Sequence, residues 1–148
     1  MVDEGRVILL VDDDPNDVEL LQRVFRNDPL ANRIVVVRDG FEALEYLFGT
    51  GRYQGRDPAH QPQVVLLDLN LPALDGLEVL RRIRADPRFR KLPVVILSSS
   101  DADRDKLAGY ELGANSYVRK PVDYQEFADA VTRLGLYWVR VNEPPPRR

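Results

Sequence analysis

Apolar residues along the chain follow two patterns: short unbroken runs, and stretches where they return every three or four positions. The runs at 7–11, 34–37, 64–67 and 94–97 are rich in Val, Ile and Leu and bounded by polar punctuation, as strands are. A weaker fifth run lies at 116–119. The first four are almost continuously apolar, which is expected of strands covered on both faces in a parallel sheet. Between the runs, helical spacing takes over. Asp14 suits a helix cap and Pro15 a first turn, after which Val18, Leu21, Val24 and Phe25 share one face until Asn27-Asp28-Pro29. A second helix is expected over 40–48, with Leu44, Leu47 and Phe48 inward. A third is expected over 77–85, with Val79, Leu80 and Ile83 inward, stopping before Asp86-Pro87. A fourth lies between Asp103 and Leu112 and closes at Gly113, and a fifth runs from Tyr124 towards Arg140.

Five alternations of strand and helix predict an α/β fold, a doubly wound five-stranded parallel sheet flanked by five helices. The length of 148 residues suits one domain, expected over 1–141, with a Pro-rich tail at 142–148. Residues 49–63 hold three Gly, two Pro and four Gln or His, so a long exposed loop is expected there. Composition narrows function more than fold. With 21 Lys+Arg against 24 Asp+Glu, the net charge of −3 argues against nucleic-acid binding driven by bulk charge. The absence of cysteine excludes disulfides, thiolate catalysis and cysteine-held metals. No run approaches the roughly 20 apolar residues of a membrane span. The acidic opening residues also lack a signal peptide's apolar stretch, so a soluble cytoplasmic protein is expected.

In an open parallel sheet the ligand site lies beyond the carboxyl ends of the strands. Strand 1 ends in Asp12-Asp13-Asp14, strand 3 in Asp68, strand 4 in Ser98-Ser99-Ser100 and strand 5 in Lys120-Pro121. Carboxylates, hydroxyls and an ammonium are therefore expected on one edge. Packed acids repel one another unless a cation intervenes, and an all-oxygen donor set favours Mg²⁺ or Mn²⁺. A carboxylate nucleophile with a metal, a lysine and a hydroxyl around it suits phosphoryl transfer, which needs positioning and charge neutralisation above all.

Four segments, in order, carry a specific resemblance. They are Val7-Ile8-Leu9-Leu10-Val11-Asp12-Asp13-Asp14-Pro15-Asn16-Asp17, Leu66-Leu67-Asp68-Leu69-Asn70-Leu71-Pro72 with Asp75-Gly76, the stretch 93–98, and Tyr117-Val118-Arg119-Lys120-Pro121. Together they resemble a response-regulator receiver domain of flavodoxin-like fold over about residues 6–140. The resemblance implies that Asp68 is the phosphoacceptor, served by a sensor histidine kinase. It implies that Asp12 and Asp13, with Asp68 and the Asn70 backbone carbonyl, hold Mg²⁺ or Mn²⁺. Lys120 would contact a phosphoryl oxygen, and the bond to Pro121 would be cis. Ser98 and Tyr117 would be the switch pair, moving on phosphorylation and altering the surface of helix 4, strand 5 and helix 5. Ser99 is a mild departure, since the family often has Ala there.

The loop at 49–63 and the Leu136-Tyr137-Trp138-Val139 extension resemble single-domain regulators that partner phytochrome-type kinases. In that subgroup the aromatic end of helix 5 would serve a homodimer, although Tyr137 and Trp138 equally suit a core role. Tyr117 too has a plain reading as a core aromatic. Arg38, Asp39 and Glu42 read as solvated charges and His60 as a surface residue. A haloacid-dehalogenase-like phosphohydrolase also uses a strand-end Asp, but it needs a second Asp where this chain has Asn70. A receiver-like binding module that is never phosphorylated leaves the filled positions unexplained. No segment after residue 140 suits a DNA-reading helix pair, so the downstream partner is expected to be an unidentified protein or a phosphorelay.

Overall fold

A computed structural model describes residues 7–26, 33–100, 102–120, 123–143 and 145–146. Five strands, β1 (Val7–Val11), β2 (Arg33–Val37), β3 (Val64–Asp68), β4 (Val94–Ser98) and β5 (Ser116–Arg119), form one parallel sheet in the order β2-β1-β3-β4-β5. The helices are α1 (Pro15–Phe25), α2 (Gly40–Phe48), α3 (Gly76–Ala85), α4 (Asp103–Glu111) and α5 (Tyr124–Gly135). This is the doubly wound fold that the alternation predicts, and the strand order reverses between β1 and β3.

The continuous apolar runs have a physical explanation in the two cores. Side chains alternate across a strand, so Leu9, Val11, Val65, Leu67 and Ile96 face one side, with α2 and α3. Ile8, Leu10, Val64, Leu66, Val95 and Leu97 face the other, under α1 and α5. Every residue of β1, β3 and β4 is buried. β2 departs from the expectation. Ile34, Val35 and Val36 are only half-buried and Val37 alone is fully covered, because the strand lies at the sheet margin with β1 as its one neighbour.

The segment 49–63 is irregular, as its composition implies, yet it is anchored to the body. It contains a 3-10 turn at Gly51–Tyr53. The Arg56 guanidinium lies 3.9 Å above the Tyr46 ring, donates to the Tyr46 carbonyl at 2.8 Å and also bonds the His60 carbonyl. Asp39 and Glu42 are not merely solvated charges. Asp39 caps α2 by accepting from the Glu42 N–H at 2.8 Å, and Glu42 accepts from Tyr53 Oη at 2.7 Å and from the Arg38 N–H at 3.1 Å. Burial, then the Glu42 bond, pushes the Tyr53 phenol up to about 12. Arg38 is exposed as expected, and His60 is half-buried instead of fully at the surface.

At the other end, α5 stops at Gly135 and continues as a wider π-turn over Leu136–Val141, where a uniform helix towards Arg140 was expected. The widening is visible in the Asn142 N–H, which reaches five residues back to the Tyr137 carbonyl at 2.6 Å. Trp138 packs against the α1/α5 core, whereas Tyr137 is 49% exposed and meets the Trp138 ring edge-on. Among the described residues no helix is long and apolar enough to cross a membrane.

Candidate functional site

Strand register brings the polar residues together. Val11 pairs with Leu67, so Asp12 and Asp68 emerge side by side from the two central strands. β3 and β4 each run one residue further than expected, and Asp68 and Ser98 are their last residues. Beyond β5, the Lys120 N–H donates to the Ser98 carbonyl at 2.7 Å, which carries the ladder one step on and sets the lysine over the sheet edge. Asp14 caps α1 as expected, accepting from the Asn16 N–H at 2.9 Å. Gly76 opens α3 so close to β3 that a Cβ there would stand 2.4 Å from the Asp68 carbonyl oxygen. Only glycine lets α3 start against the site. In the intervening loop Ala73 takes φ of 67°, left-handed for a residue with a Cβ, and the Leu74 N–H closes back on the Pro72 carbonyl at 2.7 Å.

Asp12, Asp13 and Asp68 each offer a carboxylate oxygen within 4.8 Å of the others, the first and last buried and Asp13 exposed. Three acids with hard oxygen donors and an open side fit a divalent cation such as Mg²⁺ or Mn²⁺. Asn70 stands exposed two residues beyond Asp68, and its N–H donates to Asp68 Oδ1 at 3.1 Å. The Lys120 ammonium bonds Asp17 Oδ2 at 2.7 Å, Asp12 Oδ2 at 3.2 Å and Asp68 Oδ2 at 3.3 Å.

These neighbours set the electrostatics. Burial above all pushes the Asp12 carboxyl up to about 7, with the Asp68 and Asp17 charges adding and the Lys120 charge and the Asp14 N–H opposing. For Lys120, burial works against the charge, but the Asp17 bond and the charges of Asp12, Asp68 and Asp17 outweigh it and raise its pKa. The lysine stays an ammonium, and Asp12 is the carboxylate on which burial outweighs the charge of the shared lysine.

Ser98 is fully buried, and its Oγ accepts from the Ser100 N–H at 3.1 Å. Tyr117 is half-buried against the α2/α3 core, and its Oη donates to the Ser100 carbonyl at 2.9 Å. Ser98 and Tyr117 thus meet on one residue of the β4–α4 loop. Ser100 Oγ further donates to Asp105 Oδ2 at 2.6 Å, at the start of α4. The bond from Lys120 to Pro121 lies outside the described residues. His60 is not part of the metal-fitting group.

Sequence reasoning missed two residues here. Asp17 reads as an ordinary acid in a first helical turn, and the only hint was its place one turn beyond Asp14, next to the strand ends. Ser100 was visible only as part of a run of hydroxyls.

The family model for the response regulator receiver domain matches residues 8–132. The chain belongs to the response regulator receiver family. This receiver is 35% identical to "Response regulator Rcp1" of Synechocystis over 140 residues, covering 95% of this chain and 93% of that protein. A crystal structure of the Mn(2+)-bound form of Rcp1 superposes with a TM-score of 0.88 at 34% identity, covering 96% of this chain and 100% of that one. The phosphorylated cyanobacterial phytochrome response regulator RcpA gives a TM-score of 0.89 at 35% identity, covering 96% and 99%. The receiver therefore matches nearly the whole length of Rcp1 and RcpA, both response regulators.

Proposed function

We propose that the receiver takes a phosphoryl group on Asp68 from the phosphohistidine of a sensor kinase. A carboxylate oxygen of Asp68 attacks phosphorus and the P–N bond breaks; because the other ring nitrogen of the phosphohistidine carries a proton, the histidine leaves as a neutral imidazole. The observation that carries this reading is the convergence of one ammonium and three clustered acids on the edge of a parallel sheet. Asp12, Asp13, Asp68 and the Asn70 carbonyl would hold Mg²⁺ or Mn²⁺, in keeping with the Mn(2+)-bound form of Rcp1. When bound, the cation supplies charge neutralisation and orientation of the phosphoryl oxygens. Lys120, kept charged, stabilises the negative charge that phosphorylation adds.

Ser98 and Tyr117 form the switch. As the Ser98 hydroxyl turns to a phosphoryl oxygen it gives up the Ser100 N–H, and the Tyr117 bond to the same residue loosens with it. The change then reaches α4, β5 and α5. There Leu107 and Tyr110 on α4, with Tyr137 and Val141 beyond α5, offer exposed apolar surface for a second copy or a target protein. Phosphorylation and dephosphorylation of its own aspartate are the only chemistry proposed, in the cytoplasm and without nucleic acid. The likeness to RcpA favours a phytochrome-type kinase as partner.

The test is transfer from a phytochrome-type sensor kinase carrying labelled phosphohistidine. Label should pass to the parent protein and not to Asp68→Asn. Label that stays on the kinase, or reaches both proteins alike, would contradict the reading.

A further inference from the structure

Of the three carboxylates around Lys120, Asp17 is nearest, at 2.7 Å against 3.2 Å for Asp12 and 3.3 Å for Asp68. It is also the one outside the metal-fitting cluster of Asp12, Asp13 and Asp68. The pair is largely shielded from solvent, with side-chain exposures of 13% for Lys120 and 17% for Asp17. Asp17 sits in the first turn of α1, so its position is fixed by a capped helix and not by the strand ends. A divalent cation and the ammonium draw on two of the same carboxylates, Asp12 and Asp68. Asp17 is the partner that the cation does not need.

We propose that Asp17 is the positioning residue for Lys120: it holds the ammonium from the α1 side and keeps the lysine from closing over Asp12 and Asp68. The proposal rests on the phosphoacceptor reading of Asp68. With the anchor in place, the lysine meets the Asp12 and Asp68 carboxylates on their Oδ2 atoms, while each Oδ1 accepts a backbone N–H, from Asp14 and from Asn70, and keeps a lone pair for a cation or for attack on phosphorus. Without it, the ammonium's remaining bonded partners are those same two acids, and it competes with the cation for them.

The test uses the full chain in five forms: parent, Asp17→Ala, Asp17→Asn, Lys120→Ala and the Asp17→Ala/Lys120→Ala double variant. Mn²⁺ affinity is measured from the electron paramagnetic resonance of the free ion, and phosphoryl gain from acetyl phosphate and Mg²⁺ by intact mass. Alanine is well suited to a helical turn, so Asp17→Ala is expected to fold. It should weaken Mn²⁺ binding and slow phosphoryl gain about fivefold to tenfold, within the range of one net intramolecular hydrogen bond. Asp17→Asn keeps an oxygen acceptor and loses the charge, and should stay within about twofold of the parent in both measurements. In the Lys120→Ala background, Asp17→Ala should change Mn²⁺ affinity by less than about twofold, because no lysine remains to misplace.

Equal losses in the Ala and Asn variants would overturn the proposal, as would a loss that persists without Lys120; either would mean that Asp17 acts as bulk charge alone. No loss in Asp17→Ala, or a parent that binds no Mn²⁺, would also overturn it. A parent that shows the expected Mn²⁺ pattern but never gains a phosphoryl group would defeat the phosphoacceptor reading and leave the anchor standing.

Discussion

The Asp12 carboxylate is wholly buried and shares the Lys120 ammonium with Asp17 and Asp68. Burial is the main reason its pKa reaches about 7. The ordinary value is about 4, so the folded chain binds this proton more tightly than the unfolded chain does. Between those two values the folded state stays protonated while the unfolded state ionises. Stability contributed by Asp12 is therefore full below about pH 4, declines as pH rises to about 7 and is level above that, a change on the order of a few kcal/mol. Glu78 behaves oppositely. Hydrogen bonds from Arg81 and Arg82 lower it to about 2, so its contribution is present above its unfolded pKa and fades only in acid. Denaturant unfolding in chelator at about pH 5 and about pH 8 should thus find the metal-free parent less stable at the higher pH. Asp12→Asn should flatten that slope and be the more stable protein at about pH 8, since it removes an under-compensated buried charge. A parent with equal stability at both pH values would contradict the electrostatic account.

Among the elements, the end of α5 carries two aromatic neighbours with different surroundings. Trp138 lies against the core that also holds Phe127 and Val131, while Tyr137 is half exposed. This separates two roles that sequence alone left equal. Trp138→Ala should cost about 2–3 kcal/mol, the lower part of the range for large-to-small core changes, because the indole is only partly buried. Tyr137→Ala should stay within about 0.5 kcal/mol of the parent in stability. If the α4, β5 and α5 face joins two copies, Tyr137→Ala should instead shift the sedimentation profile towards monomer. Unchanged stability in Trp138→Ala would contradict its place in the core. Arg84 is a second device at this scale. Its half-buried guanidinium donates to the carbonyls of Gly113 and Phe89 and to Asn115 Oδ1, and Asn115 in turn accepts from the Val94 N–H at 2.8 Å. One side chain on α3 thereby holds the approaches to β4 and β5.

For the molecule as a whole, legibility in the sequence followed from how each feature is encoded. β1, β3 and β4 were readable because burial on both faces leaves unbroken apolar runs. β5 gave a weaker signal for the opposite reason, since Ser116, Tyr117 and Val118 are half-buried and Arg119 is exposed at the sheet's other margin. Asp12, Asp68 and Ser98 could be found because each closes or follows such a run, and Lys120 because a Lys-Pro pair follows the weaker fifth one. Asp17 could not, because its partner is 103 residues away and a helix-borne carboxylate looks the same whether it meets water or an ammonium. The anchoring of 49–63 was hidden likewise, because Arg56 lying over Tyr46 leaves no periodic trace.

Asp68 is the one carboxylate that should take the phosphoryl group, and intact mass tests this most directly. The parent and Asp68→Asn are each incubated with acetyl phosphate, with Mg²⁺ and with chelator. One phosphoryl group should appear on the parent with Mg²⁺, and none on the parent in chelator or on Asp68→Asn. Phosphoryl gain by Asp68→Asn equal to the parent's, or gain by the parent that is indifferent to Mg²⁺, would contradict a metal-assisted phosphoacceptor at Asp68.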